Sequence, residues 1–288
     1  MKTFYYCHTG HRIGLDRFRR AATIIRALKG VDITLLCSDY RIAQVARDFG
    51  VEKSVGIDVV RNIPQITHHG DQLIFDSAEA NPVMLEDMRE YFSTFIRVSD
   101  DPKDKKEEGE LLISPYLSGE GICNAYAVDE KFFQKYDKTI KLAYFFGDDD
   151  YSKDLFKHID FIADLKPELQ LGFYYFLDYE EQLKESFKRY HEFEDYDDMI
   201  QKTDILITAS PQAVLESLAS GGKPVYLQRD DYSEDFQELF KKMNIPIIKD
   251  YNKNNLSVIL ETIENHNYAD VKHFGNIINE FIKESLIL

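Results

Sequence analysis

The sequence predicts an α/β fold of two doubly wound domains with parallel sheets, and three observations carry that prediction. Strand-length apolar runs alternate with segments of helical period along the whole chain. The alternation occurs twice, once on each side of residue 137. The stretch from Asp204 to Gln228 also spells out a complete βαβ unit. Ile205, Leu206 and Ile207 suit a strand buried on both faces. Ser210 carries the hydroxyl of an N-cap, and Pro211 fits the first helical turn, where its missing N–H costs nothing. Val214, Leu215, Leu218 and Ala219 form one apolar stripe, Gly221 and Gly222 end the helix, and Pro224 to Leu227 start the next strand.

The remaining elements follow in order. In the first half, strands are expected at 4–7, 33–37, 72–75, 95–98 and 111–113. A helix at 18–28 turns Phe18, Ala21, Ala22, Ile25 and Leu28 inward, one at 42–49 is closed by Gly50, and one at 82–91 opens on Asn81 and Pro82. The charged run 100–110 reads as a solvated loop. In the second half, strands are expected at 141–146, 169–177 and 245–248 beside the two of the βαβ unit. Helices are expected at 152–165, 180–190, 236–243, 256–264 and 271–286. The predicted domains are therefore 1–137 and 138–288, Rossmann-like, facing a cleft, with the final helix packing back.

Composition narrows the function. A chain of 288 residues with 44% hydrophobic residues can bury two cores. Its formal charge of −16 repels phosphate backbones, which argues against a nucleic-acid polymer as partner. Cys7, Cys37 and Cys123 are few, odd in number and far apart, which favours a reducing compartment over a disulfide framework or a zinc site. Nothing at the amino end has the pattern of a signal peptide, and no apolar run reaches transmembrane length. The expectation is a soluble cytoplasmic protein with no metal and no cofactor. No motif encodes an oligomeric state.

Three junctions between a strand end and a helix start carry the candidate chemistry, because free N–H groups and the helix dipole favour an anion there. The first is the loop His8 to Arg20, where Gly10 and Gly14 permit close backbone approach and Arg12, Arg17, Arg19 and Arg20 concentrate positive charge in an acidic chain. On a helix Arg17 and Arg20 share a face. Surface arginines paired with carboxylates are an equally good reading. His8 and His11 are acid–base candidates, although loop histidines are more often solvated. The second junction is Phe145 to Ser152, where Gly147 admits a ligand but Asp148, Asp149 and Asp150 oppose a diphosphate. At ~4 Å each like-charge pair costs about 4 kcal/mol at an effective dielectric near 20, against about 0.3–1 kcal/mol from a helix amino end. At least one of these aspartates is therefore expected to cap the helix. The third is Thr208, Ala209 and Ser210, with Gln212 and Glu216 on the helix that follows.

Together these pieces resemble the two-domain glycosyltransferase-B architecture, most closely the UDP-sugar hydrolases of pseudaminic acid biosynthesis and more distantly the lipid II-forming N-acetylglucosaminyltransferases. RIGLDRFRR at 12–20 is similar to the family's first loop, FFGDDD to its Gly-Gly-Thr-Asp strand end, and TASPQAVLESLASGGKPVYL to its Ser-Ala-Ser turn, helix glutamate and following strand. IFDSA from Ile74 and RVSDDP from Arg97 fit its two amino-domain aspartate segments. Two departures stand out: Arg17 occupies the place of the catalytic histidine with Asp16 before it, and Asp148 replaces a glycine. An arginine stays protonated and cannot act as a base at neutral pH.

The resemblance implies a nucleotide-sugar enzyme, UDP-linked, of cell-surface or flagellar glycan synthesis. Glu216 would hold the ribose, and Ser210, Gln212 and Gly147 the rest of the nucleotide. Gly14 and Arg20 would meet sugar or phosphate, and Arg17, Asp16 and His11 would form the catalytic group. The loss of the histidine favours transfer over hydrolysis. The alternatives are a UDP-sugar hydrolase with altered catalytic residues and a non-catalytic binding or assembly protein that kept the fold.

Overall fold

The computed structural model describes residues 1–79, 81–174, 183 and 185–287. The chain forms two compact units, Met1–Val128 with His273–Leu288, and Asp129–Lys272.

The first unit is built on a parallel sheet of β1 (Thr3–Cys7), β2 (Ile33–Cys37), β3 (Ser54–Gly56), β4 (Gln72–Asp76), β5 (Thr94–Val98), β6 (Leu111–Ser114) and β7 (Ile122–Asn124). The spatial order is β3-β2-β1-β4-β5-β6-β7. The order reverses beside β1: the chain moves outward to β2 and β3, then returns to add β4 on the other side. Helices α1 (Asp16–Ala27), α2 (Tyr40–Val45), α3 (Ile63–Ile66) and α4 (Pro82–Tyr91) connect the strands. One face of the sheet packs Phe4, Tyr6, Leu36, Phe75 and Phe95 in a core with Ile63 and Met88, and each such side chain contributes about 1.5–3 kcal/mol by burial.

The second unit contains β8 (Ile140–Phe145), β9 (Glu168–Gln170), β10 (Arg189–His191), β11 (Thr203–Thr208), β12 (Lys223–Leu227) and β13 (Ile247–Ile248), all parallel, in the order β10-β9-β8-β11-β12-β13. Here the order reverses between β8 and β11. Among the described residues its α-helices include α5 (Asp154–Lys157), α6 (Tyr196–Lys202), α7 (Pro211–Ala219), α8 (Phe236–Lys242) and α9 (Lys253–Thr262). Tyr144, Phe146, Leu169, Ile205, Ile207 and Val225 lie in its core. The fold class expected from sequence is observed: two parallel-sheet α/β units of doubly wound topology.

Several elements differ from expectation. The last helix, α10 (Gly275–Ser285), packs back as expected but is counted with the first unit, where Asn279 Nδ2 donates to the Ala27 carbonyl at 2.6 Å and Phe274 meets the Tyr126 ring edge-on at 5.0 Å. The chain therefore crosses between units after Val128 and again after Lys272, rather than once at 137. The helix expected over 152–165 is only one short turn, α5, followed by two 3₁₀ turns, Ile159–Phe161 and Ala163–Leu165. Phe161 and Ile162, where the two turns meet, are both buried. The expected strand 169–177 ends at Gln170, and its residues 175–177 lie outside the described residues. Most of the first turn of the expected helix 180–190 also lies outside them, and its last two residues are in β10. Strands β3, β7 and β10 and helices α3 and α6 have no counterpart in the expectation: the strands are three residues each, partly exposed, and carry no periodic signal. The loop 100–110 is not simply solvated. Its carboxylates fold back on Arg97, which Asp104 and Glu110 both pair, and Glu110 is buried.

Candidate functional site

In an open parallel sheet the crevice that binds ligands lies at the carboxyl ends of the strands where their order reverses. In each unit, the loops singled out from sequence flank that point.

In the first unit the reversal lies between β1 and β4. After β1 the loop folds into a tight turn in which the N–H groups of Ile13 and Gly14 donate to the Gly10 carbonyl at 3.1 and 3.0 Å. Gly14, with φ +79°, takes a conformation that a side chain would strain. The Thr9 hydroxyl donates to the Gly14 carbonyl at 2.7 Å, and Ser38 at the end of β2 bonds both the N–H and the carbonyl of Thr9. The loop is thereby fixed by its own backbone before α1 begins.

Asp76 ends β4 and is fully buried. Its carboxylate accepts from Arg20 Nε at 2.9 Å, Arg20 Nη2 at 2.6 Å and the Tyr5 hydroxyl at 3.1 Å, and Arg17 Nε lies 3.6 Å away. Arg20 reaches on to Asp100 with Nη1 at 2.5 Å and Nη2 at 3.0 Å. Burial opposes the charge on Asp100, but the adjacent Arg20 guanidinium holds its carboxyl below the usual range. Arg17 and Arg20 do share a face of α1, but they are not equivalent: Arg20 is an internal countercharge between two carboxylates, whereas Arg17 is about a quarter exposed. The expected sugar- or phosphate-binding role of Arg20 is therefore revised, because its donors are already committed to Asp76 and Asp100.

His8 follows β1 directly, and its N–H donates to the Asp76 carbonyl at 2.9 Å. Its Nε2 lies 3.8 Å from Glu79 Oε2, and Glu79 also accepts from the Tyr6 hydroxyl and from Ser77 Oγ at 3.3 Å. His8 Nδ1 is buried with no hydrogen-bond partner among the described residues. Burial lowers the His8 pKa; Glu79 pulls it back up and Arg17 reinforces the lowering. The imidazole is therefore neutral at neutral pH, beside a carboxylate, at the strand-order reversal, a state in which it can accept a proton. His11 lies within the Gly10–Gly14 turn, and Asp16 in the first turn of α1, where its charge suits the helix dipole. The sequence held His8 as one of two loop histidines and did not single out Glu79; the position of His8 immediately after a strand was the available signal.

In the second unit the reversal lies between β8 and β11, and the Ala209 N–H extends their pairing by donating to the Phe145 carbonyl at 3.1 Å. Gly147, at φ +108°, does admit a close neighbour, but that neighbour is protein: an added Cβ would stand 3.2 Å from the Tyr232 hydroxyl and 3.6 Å from Arg229 Nη1. The expected close approach of a ligand to that face of Gly147 is replaced by this cover. The aspartates turn toward backbone. Asp150 accepts from the N–H groups of Asp154 at 2.7 Å and Leu155 at 3.2 Å, so it caps α5, and Asp149 accepts from the Tyr151 N–H at 3.1 Å. Among the described residues no group of three or more His, Cys, Asp or Glu is arranged to hold a metal ion.

Ser210 caps α7 as its position implies, accepting from the Ala213 N–H at 3.1 Å, while its own N–H donates to Thr208 Oγ1 at 3.0 Å. Gln212 and Glu216 come together one turn apart: Gln212 Nε2 donates to Glu216 Oε1 at 2.9 Å, and the Tyr196 hydroxyl donates to Oε2 at 2.6 Å. Glu216 is 2% exposed, so its carboxylate is oriented by protein donors and is part of the packing of α6 on α7. Tyr196, on the unforeseen helix α6, is the residue of this group that sequence reasoning missed.

These two strand-order reversals, each flanked by polar loops, define a two-unit α/β protein of glycosyltransferase-B-like architecture. Solved structures of similar fold span nearly the whole chain. A putative UDP-N-acetylglucosamine 2-epimerase from Listeria monocytogenes matches with a TM-score of 0.63 at 13% identity, over 98% of this chain and 95% of that one. The UDP-GlcNAc 2-epimerase of Methanocaldococcus jannaschii, in complex with UDP-GlcNAc and UDP, gives 0.62 at 12% identity over 99% of each chain. MurG of Acinetobacter baumannii gives 0.55 at 11% identity over 98% of this chain and 100% of that one. At these identities the likeness is one of fold. No family model matches the sequence, and no curated protein matches it. No helix among the described residues is long and apolar enough to cross a membrane.

Proposed function

We propose that the protein is an enzyme acting on a nucleotide-activated, UDP-linked sugar, breaking the anomeric C–O bond and passing the sugar to an acceptor. Its setting would be glycan assembly at the cell surface, as the sequence resemblance implies. The observation that carries this reading is the placement of the sequence motifs: the loops after β1 and β4, and those after β8 and β11, flank the two points of strand reversal. The end-to-end likeness in fold to a protein whose structure holds UDP-GlcNAc and UDP supports the same substrate class.

In this reading the first turn of α7, capped by Ser210, takes a phosphate, and Glu216, oriented by Tyr196 and Gln212, takes the ribose. In the first unit, neutral His8, next to Glu79, is the candidate base and Arg17 the candidate cation for developing negative charge. His8 replaces His11 as the base of choice. The same His8–Glu79 pair would activate water as readily as an acceptor hydroxyl, which keeps hydrolysis as the second reading.

The test has two stages. A panel of uridine, cytidine, guanosine and adenosine diphosphates is screened by thermal shift; UDP at 100 times its Kd adds about 2.7 kcal/mol of apparent stability. Absence of a shift with every nucleotide sinks the reading. Products formed from UDP-GlcNAc, with and without acceptors, then separate transfer from release of free sugar and from epimerisation.

A further inference from the structure

We propose that Arg229 is the positioning residue of the β8–β11 site, holding the Gly147–Asp149 turn in place beside the first turn of α7, where the nucleotide's phosphate is proposed to bind. The proposal rests on the reading of that site as the nucleotide site.

Arg229 lies two residues beyond β12 and is 1% exposed, the largest of the fully buried side chains. Its Nη1 donates to the Phe146 carbonyl at 3.1 Å and to the Asp149 carbonyl at 2.7 Å, the two residues that bracket Gly147 and Asp148. Nε and Nη2 donate to the two oxygens of Asp231 at 2.8 and 2.6 Å, a bidentate pair that fixes the plane of the guanidinium. The Phe146 and Tyr232 rings lie at 4.3 Å on the cation, within cation–π range.

The set of contacts as a whole suits an arginine. Nη1 spans the two carbonyls while Nε and Nη2 hold both oxygens of Asp231, four bonds in one plane, and the flat cation meets two rings; a lysine ammonium has three donors on one nitrogen and cannot make the bidentate pair and both carbonyl bonds together. The turn needs such a brace. Gly147 at φ +108° places no side chain against its neighbours, and Asp148, Asp149 and Asp150 crowd three carboxylates into consecutive positions that are almost fully buried. A buried cation bonded within the turn offsets part of that repulsion while leaving the carboxylates to their own backbone amides. Gly172 seals the other side, since a Cβ there would stand 2.5 Å from the Gly147 carbonyl oxygen. The turn is therefore shaped by protein on both sides, and Arg229 is the one cation bonded to its backbone among the described hydrogen bonds.

The experiment compares wild type with Arg229→Lys. Hydrogen exchange of the amides of 147–155 in the ligand-free protein reads the turn, and UDP titration calorimetry well below the melting temperature reads the site. Expected for Arg229→Lys is a rise in exchange of about tenfold or more confined to 147–155, with β11 and β12 unchanged, and a UDP Kd raised about tenfold. A merely structural arginine would lower the melting temperature and raise exchange across the whole unit with Kd unchanged; that result, or unaltered local exchange, overturns the proposal. Should Arg229→Lys fail to fold, Asp231→Asn, which loosens the guanidinium without removing it, raises Kd about threefold; no change in Kd there also overturns it. If wild type binds no UDP, the nucleotide reading falls and takes the site role with it, whereas local opening in the variant would still mark Arg229 as the brace of the turn. The two failures are thus told apart by exchange data that need no ligand.

Discussion

The two strand-order reversals share a topology and differ in chemistry. At β1–β4 the polar groups are side chains that answer one another: Arg20 between Asp76 and Asp100, and neutral His8 beside Glu79, with Arg17 at the edge. At β8–β11 the described polar groups mostly serve backbone: Asp150 caps α5, Ser210 caps α7, Arg229 binds two carbonyls, and Glu216 is held by an amide and a phenol. The same fold can thus present interacting charged and titratable side chains at one reversal and a backbone held by side-chain hydrogen bonds at the other. The first suits chemistry at a bond; the second suits binding a constant group such as a nucleotide.

The largest effect should come from the internal countercharge. Arg20→Met leaves Asp100 without its guanidinium partner and buried Asp76 with only the Tyr5 hydroxyl and the more distant Arg17, and should cost about 3–5 kcal/mol of stability by denaturant unfolding. If the variant unfolds like wild type, the distinction between Arg20 and Arg17 collapses.

Next is the acid–base pair. His8→Ala should lower turnover by about 10² or more, with UDP binding unchanged, while His11→Ala should leave turnover within a few-fold. Equal losses in the two variants would return the role to the whole loop. Because burial and Arg17 depress the His8 pKa, the acid limb of the rate profile should lie below pH 6.5. The sign for stability follows from the same shift. The unfolded chain takes up the His8 proton first, so this contribution is full above pH 6.5 and is lost as pH falls through the depressed folded value. His8→Gln removes that part of the acid sensitivity.

A smaller effect is expected at Glu216. Glu216→Gln should weaken UDP binding by about 1–3 kcal/mol, as for a hydrogen bond to a charged group. Because Tyr196 and Gln212 donate to this buried carboxylate, the free protein should lose stability as well. Tyr196→Phe sharpens the comparison: a loss of UDP affinity larger than the loss of stability marks orientation of the carboxylate, and the reverse marks packing alone.

The smallest effect tests the caps. Asp150→Ala removes the acceptor for two α5 amides and should cost about 1 kcal/mol in thermal unfolding. A gain in stability would mean that repulsion among the three aspartates outweighs the cap, and that Arg229 leaves much of it uncompensated.

The sequence by itself determined the elements whose signals are local. Ser210, Pro211 and Gly221 mark the start and end of α7 within a few residues of the groups they act on, and α7 runs Pro211–Ala219. The same holds for Asp150, whose capping partners are four and five residues away. Only the tertiary structure decided which charges meet. Arg20 lies 56 residues from Asp76 and 80 from Asp100, and strand order alone places these carboxyl ends side by side. The same pairing order set His8 against Glu79 and brought Arg229 to the turn after β8. Capping and helical period act through the backbone of neighbouring residues and are written in consecutive positions. The partner of a buried charge depends on which strands lie side by side, and no short stretch of the chain records that.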